Sequence, residues 1–220
     1  MGEVSTILIL SAVRIEAAAI GKVLRLDRQS SRQWTRHGLR LELMGIGARL
    51  LPAISAEGIS GVIAAGIAGG LSPELGIGDV VVDELSAPLP RVPGQVGKIH
   101  TSRQLAATPE EKAHVFRQTG ALAVEMENTA VREWAAKFKI AYCGIRGISD
   151  TAQQSLDPAM VSLVDEVGGV RTGKLATFLL ANPGKIPTLH RLGTDAKAAA
   201  VAAAETVKAV LAGGWPDAQS

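Results

Sequence analysis

Four runs of this chain are almost continuously apolar and rich in β-branched residues: Thr6–Leu10, Val62–Ala65, Val80–Val82 and Ile140–Ile148. A half-exposed strand alternates apolar and polar residues. A continuous run is what a strand covered on both faces needs. Such strands require helices above and below them. A helical pattern follows the first run over Ile15–Leu24, and another places Ala130, Trp134, Ala135 and Phe138 on one face. The expected fold is therefore α/β: a single domain over 1–220, three-layer, with a central mixed, mostly parallel sheet flanked by helices. A length of 220 residues, 47% hydrophobic and 20% charged, suits one globular domain with a substantial core.

Smaller elements fill the intervals. Gln33–Leu43 reads as a strand or hairpin arm with Gly38 in a turn, and Leu50–Ala56 as a helix with Pro52 in its first turn. Residues 86–97, with Pro88, Pro90 and Pro93, read as an exposed connection before a brief strand at Lys98–Ser102. Thr108-Pro109-Glu110-Glu111-Lys112 opens a helix, with Thr108 as cap, Pro109 at its first position and Glu111 completing a capping box. In the tail, Leu175–Ala181 and Asp195–Ala212 read as two helices separated by the break at Asn182-Pro183-Gly184. Val201, Ala204, Val207 and Leu211 form the packing stripe of the second.

Working groups in a parallel sheet gather at the carboxyl ends of its strands. Arg14 and Glu16 follow the first run. Gly66, Ile67, Ala68, Gly69 and Gly70 follow the second and read as a loop with closely approached backbone. Ser149 and Asp150 end the last run. Glu125 and Glu127 stand in an apolar setting, Val124-Glu125-Met126-Glu127-Asn128, where a strand hands over to a helix. A buried carboxylate costs several kcal/mol unless paired or hydrogen-bonded, so two in one turn suggest a polar ligand. Acids stabilising a helix N-terminus are the plainer alternative. Gly45-Ile46-Gly47 is not a dinucleotide fingerprint, because position 50 is Leu50.

Several function classes are disfavoured. A net charge of +2 offers no electrostatic case for nucleic acid or lipid headgroups. The single cysteine, Cys143, cannot form an intrachain disulfide, and the four histidines lack zinc-ligand spacing. No apolar run is long enough to span a bilayer, and the apolar N-terminal run lacks a basic flank, so a cytoplasmic protein without an integral membrane segment is expected.

Taken in order, Ala12-x-x-x-Glu16, Gly45-Ile46-Gly47, Gly66-x-Ala68-Gly69-Gly70-Leu71, Gly78-Asp79-Val80-Val81, Val124-Glu125-Met126-Glu127 and Ile148-Ser149-Asp150 carry a family likeness. They resemble the nucleoside phosphorylase and methylthioadenosine/S-adenosylhomocysteine nucleosidase superfamily, over a stretch from about residue 6 to about residue 155. The resemblance implies cleavage of a purine nucleoside's N-glycosidic bond. By similarity Asp150 donates a proton to N7, Glu127 binds the ribose hydroxyls with Glu125 and Ser149 nearby, and Met126 packs on the sugar. Gly66, Ile67, Ala68 and Gly69 line the base and nucleophile region, and Glu16 orients or deprotonates a water. No cofactor is implied beyond phosphate as a possible co-substrate. The implied partners are a small-molecule nucleoside and further copies of the chain in a homo-oligomer of two or more.

Two departures qualify the likeness. Phosphate-gripping residues of the phosphorylases correspond to Ala64 and Ile67 here, leaving Arg14, Arg49 or Arg146 as substitutes. A purine-stacking aromatic of the methylthioadenosine nucleosidases has no counterpart; Gln104 and Leu105 follow Thr101-Ser102-Arg103 instead. The shortened region ending Ala107-Thr108-Pro109-x-Glu111-Lys112 and the phrase Pro187-x-Leu189-x-Arg191-Leu192 are similar to the hopanoid-biosynthesis-associated phosphorylases. That likeness implies release of adenine from adenosylhopane. Other purine nucleosidases or phosphorylases, futalosine hydrolases included, and a non-catalytic nucleoside-binding protein are the alternatives. Phe178, Leu179, Leu180, Ile186, Leu189 and Leu192 would then wall the 5′ exit of the pocket, or simply pack on the core.

Overall fold

The structure is a computed structural model that describes residues 6–87, 92–157, 165, 167–169, 177–178 and 180–215. Its elements in order are β1 (Thr6–Ser11), α1 (Arg14–Val23), β2 (Asp27–Arg28), β3 (Gln33–Arg36), β4 (Leu39–Leu43), β5 (Ile59–Gly70), β6 (Val80–Asp83), β7 (Gln95–Gly97), β8 (Ile99–Thr101), α2 (Pro109–Thr119), β9 (Ala123–Glu125), α3 (Asn128–Lys137), β10 (Ala141–Asp150) and α4 (Ile186–Ala212).

The expected α/β architecture is present. The main sheet runs β2-β3-β4-β1-β5-β10-β6-β7, with β8 and β9 attached through β5. Its centre is parallel, β4 to β1, β1 to β5 and β5 to β10, whereas β10 to β6 and β5 to β9 are antiparallel. Alternation along the central strands feeds two cores. Ile9, Ile63 and Ile145 point with α1 and α4 to one side; Leu8, Leu10, Val62 and Tyr142 point with α3 to the other. At Gly147 a Cβ would run into the backbone of Ala199, so a side chain there would push α4 off β10.

Four expectations need correction. Gly66–Gly70 is not a loop but the second half of the 12-residue strand β5. It is paired with β10 from Gly66 opposite Arg146 onward, and its last two residues pair with β9. Glycine's weak strand preference concealed this, but the neighbours on either side supply the hydrogen bonds. The segment Leu50–Ala56 holds only a short 3₁₀ turn, Leu51–Ala53. Within the connection 86–97 the chain forms β7, a strand alongside β6; residues 88–91, which include Pro88 and Pro90, lie outside the described part.

The tail is the fourth. α4 runs unbroken from Ile186 through Gly193 to Ala212, so its first helical turns extend well before Asp195. Its buried stripe is Ala199, Ala200, Ala203, Ala204, Val207 and Val210, whereas Val201 is exposed. Small residues on this stripe permit the close approach at Gly147. Among the described residues no helix is long and apolar enough to cross a membrane.

Candidate active site

The carboxyl ends of β1, β5 and β10, together with the β9–α3 turn, bring the candidate residues to one edge of the sheet. Glu16 stands in the first turn of α1 and folds back over the strand ends. Its Oε2 accepts hydrogen bonds from the Ala12 and Val13 amides, each at 2.9 Å, and Oε1 accepts one from the Ile67 amide at 2.9 Å. A Cβ at Gly66 would collide with this carboxylate. Gly66 has no unusual φ to explain it; the residue is glycine because an acid packs against it. Burial raises the Glu16 pKa, and the Arg146 charge and three amide donors only partly oppose that.

Glu127 closes the β9–α3 turn. Its Oε1 accepts from the Gly47 amide at 2.8 Å, which gives the Gly45-Ile46-Gly47 motif its task. Gly47 sits at φ +67°, in the left-handed region, which turns its N–H toward the acid. Burial pushes the Glu127 carboxyl up to about 7; Arg146 opposes the shift, while Glu125 and Glu16 add to it.

Glu125 lines the cleft beside Asp150, and its carboxylate is bonded within the protein. Its Oε1 accepts from Thr101 Oγ1 at 2.6 Å, and its Oε2 accepts from the Glu127 and Asn128 amides and from Arg146 at 2.8–2.9 Å. Those bonds occupy the carboxylate within the protein, where it fastens the turn that presents Met126 and Glu127. Burial alone would raise its pKa, but the Arg146 charge and these hydrogen bonds outweigh it and hold Glu125 ionised. Arg146 is buried, donates also to the Ile145 carbonyl, and is held cationic by Glu125, Glu127 and Glu16 against the opposing effect of burial. As a phosphate ligand it is thus poorly placed: its guanidinium is directed at Glu125. Arg14 and Arg49 are exposed.

Asp150 ends β10. Its Oδ1 accepts from Ser149 Oγ at 2.8 Å and its Oδ2 from Lys112 Nζ at 2.5 Å. Lys112 is the participant that sequence reading missed, since it appears there only as part of a helix start. One weak signal existed: a lysine in the first turns of a helix meets the positive end of the dipole and needs a reason to be there. A small cleft opens over Asp150, lined by Gly69, Gln104, Leu105, Val124, Met126 and Leu156 among others. The site thus has an acid at an apolar slot, a second acid on the Gly47 amide, and a third against the strand ends.

A family model described as the phosphorylase superfamily matches residues 86–181. Among solved structures the chain superposes on the 5′-methylthioadenosine/S-adenosylhomocysteine nucleosidase of Helicobacter pylori, with a TM-score of 0.66 at 20% identity over 95% of this chain and 98% of that one. The family-model match spans 96 of the 220 residues. The futalosine hydrolase of Helicobacter pylori is similar as well, with a TM-score of 0.66 at 18% identity over 95% of this chain and 98% of that one. The nucleosidase CT263 of Chlamydia trachomatis gives a TM-score of 0.64 at 15% identity over 94% of this chain and 97% of that one. At these identities the likeness shows a shared fold. Comparison with curated proteins gives no match. The model match and the shared fold are both in keeping with the motif likeness.

Proposed function

We propose that the chain cleaves the N-glycosidic bond of a purine nucleoside. The observation that carries this reading is the cleft that places Asp150 and Met126 on one apolar slot, with the buried acid Glu127 next to Met126 in the chain. Breaking the bond leaves an electron pair on the purine and positive charge on the sugar. Asp150 delivers a proton to N7, and Glu127 holds the ribose hydroxyls and meets the sugar's developing charge. Glu16, fixed by three amides, positions the incoming nucleophile. Val124, Leu105 and Leu156 provide an aliphatic slot for the base in place of an aromatic platform.

For the substrate we propose an adenine nucleoside with a bulky apolar 5′ group, adenosylhopane being the case that the motif likeness implies. Supporting this are the missing aromatic and the exposed apolar side chains Leu180 and Ile186 around the Asn182-Pro183-Gly184 break, with Phe178, Leu189 and Leu192 half-buried; Leu179 lies outside the described residues. Burying a large apolar body gains about 25 cal/mol per Å², a return methylthioadenosine cannot match. A homo-oligomer of two or more chains in the cytoplasm remains part of the reading.

The test is purine release from adenosine, methylthioadenosine and an adenosine carrying a long apolar 5′ substituent, each with and without phosphate. The long-tailed nucleoside is expected to have the highest kcat/KM, and Leu180→Ser with Leu189→Ser to reduce its use far more than that of adenosine. Equal losses on both substrates would leave the tail a packing element. Dependence on phosphate would identify phosphorolysis, and release without it hydrolysis.

A further inference from the structure

Lys112 is the one lysine fully buried among the described residues. It sits four residues into α2 from the Thr108 cap, and its side chain crosses to the end of β10. There its Nζ meets Asp150 Oδ2 at 2.5 Å, the Thr151 carbonyl at 2.7 Å and the Gln154 carbonyl at 3.1 Å. Three acceptors require three N–H donors, which an ammonium has and a neutral amine lacks. The geometry is therefore that of Lys112 ammonium beside Asp150 carboxylate. The other carboxylate oxygen takes a hydrogen bond from Ser149. In this state Asp150 has no proton of its own to give to a purine.

We propose that Lys112 is the proton reservoir of the site and that Asp150 relays its proton to the base. The inference rests on the reaction proposed above. As the sugar–N9 bond breaks, its electron pair passes into the purine. Lys112 passes a proton to Asp150, and Asp150 hands it on to N7. This leaves a neutral amine, a carboxylate, a neutral purine and a cationic sugar, with total charge unchanged. The nucleophile's attack on the sugar releases a proton when water is the nucleophile, and that proton restores the ammonium. Lys112 acts through Asp150 and does not touch the substrate, so it is a positioning residue.

Among the described residues few other charges face this pair. From β9, Glu125 lines the same cleft but is bound by Arg146. On α2 itself Glu111 turns back to the Ala107 and Thr108 amides. The segment before α2 contributes Gln104, which is neutral, and β5 contributes Gly69.

The experiment compares kcat from pH 5 to 10 for wild type, Lys112→Met and Lys112→Arg, on adenosine or whichever of the tested nucleosides turns over fastest. The variant-to-wild-type ratio cancels any ionisation the proteins share, such as that of Glu127. For Lys112→Met the ratio is expected to be at least tenfold down at pH 8 and to climb toward 1 at pH 5, where protons from solvent replace the one Lys112 no longer supplies. Lys112→Arg keeps the charge but cannot surrender a proton, so its ratio should also be low at pH 8. If the methionine variant does not fold, the arginine variant, with its buried charge still paired, carries the test. A pH-independent ratio for Lys112→Met, or wild-type kcat at pH 8 for Lys112→Arg, overturns the proposal while leaving the reaction in place. Absence of purine release by wild type on every nucleoside overturns the reaction, and this proposal with it.

Discussion

Asp150→Asn is expected to lower kcat for purine release about 10²–10⁴-fold, the usual worth of a positioned general acid. The amide keeps the shape and still accepts a hydrogen bond, but it can relay no proton to N7. The substitution also removes the carboxylate partner of the buried Lys112. Breaking one side of a buried ion pair costs about 3–5 kcal/mol, so the variant should melt at a lower temperature than wild type. The assay therefore belongs well below that melting point, with folding verified by circular dichroism. A folded Asp150→Asn protein turning over within about threefold of wild type would remove Asp150 from the chemistry. A loss fully explained by unfolding would make the Lys112–Asp150 pair purely structural.

Glu127→Gln separates a site acid from a helix-start acid through two opposite effects. The amide oxygen can still accept from Gly47, but the charge facing the cationic sugar is gone, a loss of a few kcal/mol in the transition state. A fall of kcat/KM of about 10²-fold is expected, with kcat and KM both affected. Stability should move the other way in alkaline solution. Burial raises this carboxyl from its ordinary 4.5 to about 7. The folded protein therefore binds a proton that the unfolded chain has lost between those values. The stability this contributes is complete below about 4.5 and is lost as pH rises through about 7. The substituted amide never ionises and escapes that loss. The variant's melting temperature should match wild type near pH 5 and exceed it at pH 8, by the equivalent of up to about 3 kcal/mol. Activity in wild type should correspondingly fall as pH drops through about 7, because the neutral form cannot meet the sugar's charge. A variant of unchanged activity would reduce the Val124–Asn128 turn to helix-start chemistry.

How much could be read in advance follows from the range over which each residue acts. The central strands were legible because burial on both faces leaves no polar residue to interrupt Leu8–Leu10 or Val62–Ala65. Glu16 and Asp150 were legible because they closely follow such runs. Gly66–Gly70 was misread, since its strand character resides in its partners, β9 and β10, and Gly66 and Gly69 record the acids packed against them. Arg146 was read as a substitute phosphate ligand, although a cation inside an apolar strand demands a buried acid, and Glu125 is that acid. The Lys112–Asp150 contact joins residues 38 apart in sequence, and no local pattern encodes it. The Gly45-Ile46-Gly47 motif likewise acquires its meaning only when Glu127, 80 residues away, reaches the Gly47 amide. α4 begins at Ile186 and not at Asp195, because the apolar stripe beyond Gly193 binds the helix to the sheet more strongly than one interior glycine, at about 1 kcal/mol, opposes it.

The most direct test is chromatographic detection of free purine when the purified protein is incubated with an adenine nucleoside, with the sugar product quantified alongside. Purine and sugar, or sugar phosphate, should appear in equal amounts with wild type and fall by at least about 10²-fold with Asp150→Asn. Nucleosides recovered intact across the tested panel, with and without phosphate, would contradict the central claim and leave the fold as a scaffold that binds without cleaving.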